Sequence, residues 1–218
     1  MALSETRSAE PRQLVFVVDD DIDVREGLRS LLQSVNLGCE VFASAKEFLA
    51  RKSNNAVSCL ILDVRLPGPS GLDFQSELAD AHVDIPIIFI TGHGDIPMTV
   101  RAMKAGAVEF LTKPVREQDL LDAVRVALER DRERRERDEK LLGLKVKFES
   151  LSDRERQVLS LVTSGLLNKQ MAGQMNLSEV TVKVHRHNLM KKMNARSVPE
   201  LVKMAEAIRI ANLENHEA

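Results

Sequence analysis

Four apolar runs in the first half of the chain end in side chains that could carry out phosphoryl chemistry. The ends of the runs supply a pair of acids, a third acid, a hydroxyl group and an amine, which are Asp19 with Asp20, Asp63, Thr91 and Lys113. If the runs are strands of one parallel sheet, their ends meet at its carboxyl edge, where open α/β sheets bind ligands. Three carboxylates at one point suit a hard divalent cation, while an ammonium group beside a hydroxyl group suits a phosphoryl group.

The elements needed to bring these side chains together are present in the same half of the chain. Strand-like runs rich in Val, Ile, Leu and Phe alternate with segments in which apolar residues recur at helical spacing. This alternation favours an α/β fold with a doubly wound parallel sheet in the flavodoxin-like strand order. We predict strands over residues 14–18, 39–43, 59–63, 86–91 and 107–111.

The C-terminal part of the chain contains helical patterns only. Capping boxes, in which a serine precedes a glutamate by three residues, occur at Ser152 and Ser197. The second and third helical patterns, with a short turn between them, have the lengths of a helix-turn-helix motif. We predict four helices, over residues 153–164, 168–175, 179–193 and 198–212.

A run of charged residues separates the two parts. Residues 129–140 are twelve consecutive charged residues, six acidic and six basic. Acid-to-base pairs four residues apart, such as Asp131 with Arg135, each support a helix by about 0.2–0.5 kcal/mol. A disordered charged linker is the alternative, but the preceding helical pattern enters the run without Gly or Pro, which favours a helix.

The distribution of charge indicates a nucleic-acid partner for the C-terminal part. The whole chain has a net charge of −2, yet residues 165–196 carry six basic residues against one acid, Glu179. A basic cluster is the electrostatic footprint of nucleic-acid binding, although a solvated charged face looks similar. No apolar stretch is as long as a membrane span, which needs about 18 residues, and neither cysteine has the spacing of a metal site. We therefore expect a cytoplasmic protein with no membrane partner.

With these motifs in order, residues 13–128 resemble the CheY-like receiver domain of two-component response regulators. The resemblance implies that Asp63 is the phosphoacceptor. It also implies that Lys113, joined to Pro114 by a cis peptide bond, contacts the phosphoryl group. A Mg²⁺ or Mn²⁺ ion would be held by Asp19, Asp20, Asp63 and the backbone carbonyl of Arg65.

The resemblance further implies a conformational switch. In receivers a hydroxyl group at the Thr91 position turns toward the new phosphoryl group, and an aromatic residue at the Phe110 position rotates inward behind it. Phe110 has no hydroxyl group, so its part in the switch would depend on packing alone. The surface that changes would include the helix over 96–105, which is the expected dimer face.

One class of enzyme uses a similar aspartate. Phosphatases of the haloacid dehalogenase type also have a nucleophilic Asp at a strand end, but they place a second Asp two residues later as an acid. Here that position is Arg65, which cannot serve as that acid. We therefore expect no enzyme activity beyond the chain's own phosphorylation and dephosphorylation at Asp63.

Two stretches of the sequence resemble a LuxR-type helix-turn-helix domain, with the motif at about residues 167–186. They are Asn168-Lys169-Gln-Met-Ala172 and Thr181-Val182-Lys183-Val184-His185. The whole chain resembles the FixJ/NarL class of response regulators. Helical spacing suggests that Val180, Val184 and Leu189 lie toward the core or at its margin. The resemblance implies DNA contacts by Asn168, Lys169, Thr181, Lys183, Val184, Arg186, His187 and Lys191.

These features predict a transcriptional regulator that phosphorylation activates. A sensor histidine kinase would donate the phosphoryl group, and the phosphorylated homodimer would bind promoter double-stranded DNA and engage RNA polymerase. Two alternatives stay open: a phosphorylation-independent DNA-binding regulator with a docking receiver, and an adaptor that acts through protein contacts alone. The expected divisions are a flexible N-terminus (1–12), a receiver (13–128), a charged helical linker (129–148) and a DNA-binding domain (149–218).

Overall fold

The computed structural model describes residues 13–52, 55–92 and 94–214, with side chains as far as residue 209. The predicted flexible segment 1–12 lies outside the described residues. The chain divides into two compact units, Met1–Arg135 and Glu136–Ala218. The division falls inside the segment that the sequence predicts to be a linker.

The N-terminal unit is built on a parallel sheet of five strands. Their order across the sheet is β2-β1-β3-β4-β5, which is the flavodoxin-like order that the sequence predicts. Four strands begin or end within one residue of the predicted positions, and the last begins two residues later. The strands are β1 (Leu14–Val18), β2 (Gly38–Phe42), β3 (Ser58–Asp63), β4 (Ile87–Thr91) and β5 (Glu109–Thr112).

Helices cover both faces of this sheet, so the central strands are apolar on both sides. In β1, Phe16 and Val18 join one apolar cluster, while Val15 and Val17 join a second cluster on the opposite face. This explains why β1 is a continuous apolar run rather than an alternating one. The helices are α1 (Ile22–Ser34), α2 (Ala45–Leu49), α3 (Gly71–Asp80), α4 (Ile96–Lys104) and α5 (Glu117–Glu149).

The charged run is helical, because α5 continues through it to Glu149. One of its acids is not a solvated surface charge: Asp131 is 0% exposed. Its carboxylate accepts hydrogen bonds from the backbone N–H of Ser58 at 2.8 Å, from Arg134 at 2.6 Å and from Arg135 at 2.5 Å. Arg135 also donates to the side-chain oxygen of Asn55 at 3.2 Å. This cluster fastens α5 to the start of β3, at the sheet edge opposite the candidate phosphoryl site.

As far as residue 214, the C-terminal unit contains four further helices beyond the end of α5. Their bounds match the predicted ones within about two residues, and a reciprocal capping box at Ser152 and Glu155 begins the first of them as expected. Their core includes Val158, Met171 and Leu189, all fully buried. The helices are α6 (Asp153–Thr163), α7 (Asn168–Met175), α8 (Glu179–Met193) and α9 (Val198–Glu214).

We predict that Asp131→Ala lowers the free energy of unfolding of the receiver by about 3 kcal/mol. The change leaves the Ser58 N–H without its acceptor and removes the buried carboxylate to which Arg134 and Arg135 donate. Urea unfolding of the full-length protein, with hydrogen exchange at the Ser58 amide, measures both effects. Glu133→Ala is the matched control, because Glu133 is an exposed acid of the same helix. Equal free energies of unfolding for the two variants would contradict the structural role of Asp131.

Candidate phosphoryl site and nucleic-acid interface

The end of β1 supplies two of the predicted acidic residues. Asp19 is fully buried, and its carboxylate accepts hydrogen bonds from the backbone N–H of Asp21 at 3.0 Å and from Lys113 at 2.7 Å. Asp20 is exposed to solvent. Carboxylate oxygens of Asp19, Asp20 and Asp63 lie within 4.8 Å of one another. The sheet therefore brings together the three acids that the sequence assigns to a metal site.

Asp63 is the last residue of β3 and the third acid of this group. Lys113 donates to one of its carboxylate oxygens at 2.8 Å, and the backbone N–H of Arg65 donates to the other at 3.1 Å. The backbone N–H of Lys113 in turn donates to the carbonyl of Thr91 at 2.8 Å, which ties the lysine to the end of β4. The peptide bond between Lys113 and Pro114 is cis, as the resemblance implies.

The electrostatics of the site favour an added cation. Burial raises the pKa of Asp19 above its ordinary value, and the hydrogen bond from Lys113 only partly opposes this. Burial by itself lowers the pKa of Lys113, but hydrogen bonds to Asp19 and Asp63 outweigh it, so the pKa of the lysine is raised. One ammonium group thus faces three carboxylates. Mg²⁺ fits this arrangement, because it takes few protein ligands, prefers oxygen and keeps several waters.

The two predicted switch residues lie beside each other near the site. Thr91 is fully buried at the end of β4, and Phe110 is half-buried on the adjacent strand β5. The Phe110 ring packs against Phe89, with centroids 6.1 Å apart. Both residues line the loop that leads from β4 into α4, whose N-cap is Asp95, as the sequence predicts.

Two glycines that the sequence analysis did not single out are tightly enclosed here. A Cβ atom at Gly71, the first residue of α3, would lie 2.3 Å from the carbonyl oxygen of Asp63. A Cβ atom at Gly94 would lie 2.8 Å from the Phe110 ring and 3.1 Å from the Thr91 methyl group. No local pattern marks either position, because both constraints come from a neighbouring strand or loop.

The helix-turn-helix of the C-terminal unit has well-defined ends. The C-cap of α7 is Asn176, which adopts the left-handed conformation with φ of 55°. The N-cap of α8 is Ser178, whose side chain accepts a hydrogen bond from the backbone N–H of Thr181. Lys169 is exposed on the first turn of α7. Thr181 and Lys169 therefore lie at helix starts, where phosphate contacts commonly occur.

Four of the predicted DNA contacts share the exposed face of α8. At about 100° per residue, Lys183, Val184, His187 and Lys191 fall within about 100° of arc, and all four are exposed. Arg186 lies on another side of the helix and donates to Asn168 at 2.8 Å, which links α8 to α7. The structure thus groups Arg186 and Asn168 with each other rather than with the exposed face.

The expectation that Val180 and Val184 lie toward the core or at its margin is wrong, because both side chains are exposed. Val180 is 71% exposed and Val184 is 53% exposed, whereas Leu189 is fully buried as expected. The core-facing position near the start of the helix is occupied instead by Val182. The helical repeat explains the difference, since Val180 and Val184 fall nearly opposite Val182 and Leu189.

Comparisons with known proteins agree with both units. Residues 15–125 match the family model of the response regulator receiver domain, and residues 149–205 match that of bacterial regulatory proteins of the luxR family. The chain is 56% identical over 203 residues to nodulation protein W of Bradyrhizobium diazoefficiens, covering 93% of this chain and 89% of that protein. It is 51% identical over 200 residues to the response regulator protein TmoT of Ectopseudomonas mendocina, covering 92% and 91%.

A solved structure matches across both units. The response regulator StyR superposes with a TM-score of 0.81 at 53% identity, covering 89% of this chain and 98% of that one. Full-length FixJ from B. japonicum gives a TM-score of 0.54 at 34% identity, covering 92% and 99%. The chain belongs to the response regulators that join a receiver domain to a LuxR-type DNA-binding domain, and it is therefore a regulator of transcription. Within the described residues, no helix is both long and apolar enough to cross a membrane.

We predict that Gly94→Ala destabilises the receiver by about 1–3 kcal/mol through overpacking against Phe110. In a Phe110→Ala background the same change should cost much less, because the ring it meets is gone. Urea unfolding of the four proteins of this cycle measures the coupling. Gly92→Ala is the control, since a Cβ atom at Gly92 would meet nothing within 4 Å. Additive effects at Gly94 and Phe110 would rule out the contact.

A second prediction concerns Glu155, which is buried at the start of α6. Burial by itself raises the pKa of Glu155, but hydrogen bonds from Lys192 and Ser152 outweigh it and hold the pKa below its ordinary value of 4.5. Lys192 of α8 donates to this carboxylate at 2.7 Å and to the carbonyl of Ser150 at 3.1 Å. A carboxyl group with a lowered folded pKa stabilises the fold above its unfolded pKa and loses that contribution as pH falls.

Glu155→Gln should therefore lower the free energy of unfolding by about 1–3 kcal/mol near neutral pH. The difference from the unchanged protein should shrink as pH falls below about 4.5, because the carboxylate that Lys192 binds becomes protonated. Urea unfolding across this pH range measures it, with Glu206→Gln on the exposed side of α9 as the control. A difference that stays constant with pH would contradict the ion pair.

Proposed function

We propose that Asp63 accepts a phosphoryl group from a sensor histidine kinase, and that this controls binding of promoter DNA by the C-terminal unit. The observation that carries the proposal is the arrangement at the sheet edge. Asp63 lies within 4.8 Å of two further acids, and one of its oxygens accepts a hydrogen bond from Lys113. The residues fit Mg²⁺ or Mn²⁺, with Asp20 as a direct ligand, Asp19 acting through water and the Arg65 carbonyl completing the set.

The chemistry assigns a separate task to each side chain. A carboxylate oxygen of Asp63 attacks the phosphorus atom, the bond from phosphorus to the kinase histidine breaks, and the histidine nitrogen leaves and takes up a proton. The bound cation would screen the incoming anion from the acids around it. Lys113, released from Asp63, pairs with a phosphoryl oxygen, while Asp19 keeps the ammonium group in position. The Arg65 N–H remains directed at the acceptor.

The switch acts through Thr91 and Phe110. The Thr91 hydroxyl group turns toward the phosphoryl oxygens, and the Phe110 ring moves into the space behind it. This rearrangement of Thr91 and Phe110 would change the surface of α4. On this helix, Ile96, Val100 and Met103 form one exposed apolar face at helical spacing. Ile96 is 80% exposed. An apolar face of this kind marks an interaction surface, and we assign it to the homodimer of the phosphorylated protein.

The dimer would bind paired half-sites in promoter DNA through α8. Lys183, Val184 and His187 would meet base edges in the major groove, and Lys169 and Thr181 would contact phosphates. Arg186 and Asn168 contribute by holding α7 and α8 together. RNA polymerase is the expected partner of the bound dimer.

We predict that a small phosphodonor labels the protein at Asp63, and that Asp63→Asn abolishes the label because the amide is not a nucleophile. Labelling should require Mg²⁺ and stop in the presence of a chelator. Intact mass and peptide mapping identify the site, and sedimentation then compares labelled and unlabelled protein for a shift toward dimer. Full labelling of the variant at another residue would contradict the assignment. DNA binding and dimerisation that Asp63→Asn leaves unchanged would favour the alternative of a docking receiver.

A further prediction concerns α8 in DNA binding. Lys183→Ala should weaken binding to a preferred site by about 1–3 kcal/mol, and it should weaken binding to random DNA much less. Lys169→Ala should weaken both equally and reduce the slope of log affinity against log salt by about 0.9. Titrations of both DNAs at several salt concentrations measure these effects. Equal losses for Lys183→Ala on both DNAs would make Lys183 a backbone contact instead.

A further inference from the structure

The start of α8 exposes a valine that packing does not explain. Val180 is the second residue of the helix, and its 71% exposure makes it one of the most exposed large apolar residues among those described. Val182 and Leu189 already fill the core side of the helix with no exposure. A single exposed apolar residue is common on protein surfaces, so exposure alone assigns nothing.

A second observation makes the position informative. Val184 follows one helical turn later at 53% exposure, so the two valines form a continuous apolar strip. Lys183 and His187 lie beside the strip on the same exposed face. Lys183 pairs with Glu179 at 3.3 Å across the first turn. An apolar strip beside a basic side chain matches a surface that meets both apolar and anionic chemistry.

The major groove of DNA offers one apolar group to such a strip. Base edges there present hydrogen-bond donors and acceptors, with the C5-methyl group of thymine as the exception. The N-terminal residues of a recognition helix are those that contact base edges. Val180 can form no side-chain hydrogen bond and carries no charge for a phosphate, so its favourable partner in the groove is this methyl group.

We propose that Val180 is a specificity-determining residue that contacts the C5-methyl group of one thymine in each half-site. The proposal rests on the proposed function, because it requires that α8 enters the major groove. It adds a residue to the predicted DNA contacts and states which base that residue selects. Val184, one turn later, contacts a different position of the site.

The experiment removes the methyl group from the DNA and the side chain from the protein. Full-length protein, phosphorylated with a small acyl phosphate, is first used to select a preferred site from random DNA. Each thymine of a half-site is then replaced by deoxyuridine, which removes the methyl group and keeps the pairing edge. Affinities are measured for the unchanged protein, Val180→Ala and Val184→Ala. Val180→Thr, which keeps the branched shape but replaces one methyl group with a hydroxyl group, is a second variant.

One deoxyuridine should weaken binding of the unchanged protein by about 4-fold, the effect of burying one methyl-sized group. The same replacement should change the affinity of Val180→Ala by less than about 2-fold, while Val184→Ala should keep its full sensitivity at that position. Val180→Thr should lose part of the sensitivity.

Three results would overturn the proposal: no thymine whose methyl group matters, equal sensitivity in Val180→Ala, or a uniform loss on all DNAs. A protein that selects no DNA at all would refute the proposed function itself, whereas selective binding without the coupling refutes only the role of Val180.

Discussion

The side chain and backbone of Lys113 join three strand ends at one point. Its ammonium group binds Asp19 after β1 and Asp63 at the end of β3, and its N–H binds the carbonyl of Thr91 at the end of β4. A lysine in this position requires parallel strands, because only then do the three carboxyl ends share an edge. The strand order and the buried acid both serve to place this one cation. The candidate chemistry depends on Lys113, because its ammonium group donates a hydrogen bond to the acceptor carboxylate of Asp63.

The positive and negative charges at this site do not balance. Burial of Asp19 makes its anionic form costly, and one ammonium group is too little for three carboxylates. A divalent cation would offset the excess, and a phosphoryl group would then restore negative charge near Thr91. In the proposed cycle both steps would change the local balance of charge, and such a change biases a conformational equilibrium.

The sequence was sufficient for most of the fold, because periodicity and capping are local signals. The strand order, the helix bounds of the C-terminal unit and the convergence of the acids followed from runs of apolar residues and from what ends them. Several features did not follow, and all of them depend on contacts across the fold. Asp131 looks like any acid of a charged helix until the start of β3 packs against it. The enclosure of Gly71 and Gly94 comes from neighbouring chain segments, and Val180 reads as a core residue unless Val182 is known to fill that place.

The buried Asp131 has a consequence for protein engineering. The charged run around it looks like an interchangeable spacer, which makes it an attractive place to splice a receiver onto a different output domain. Its hydrogen bonds to Ser58, Arg134 and Arg135 make the first part of that run an integral part of the receiver. A chimera cut before Asp131 would lose a buried carboxylate that supports β3, and a scrambled spacer of identical composition would lose it as well. The workable junction lies after Arg135, where the compact N-terminal unit ends.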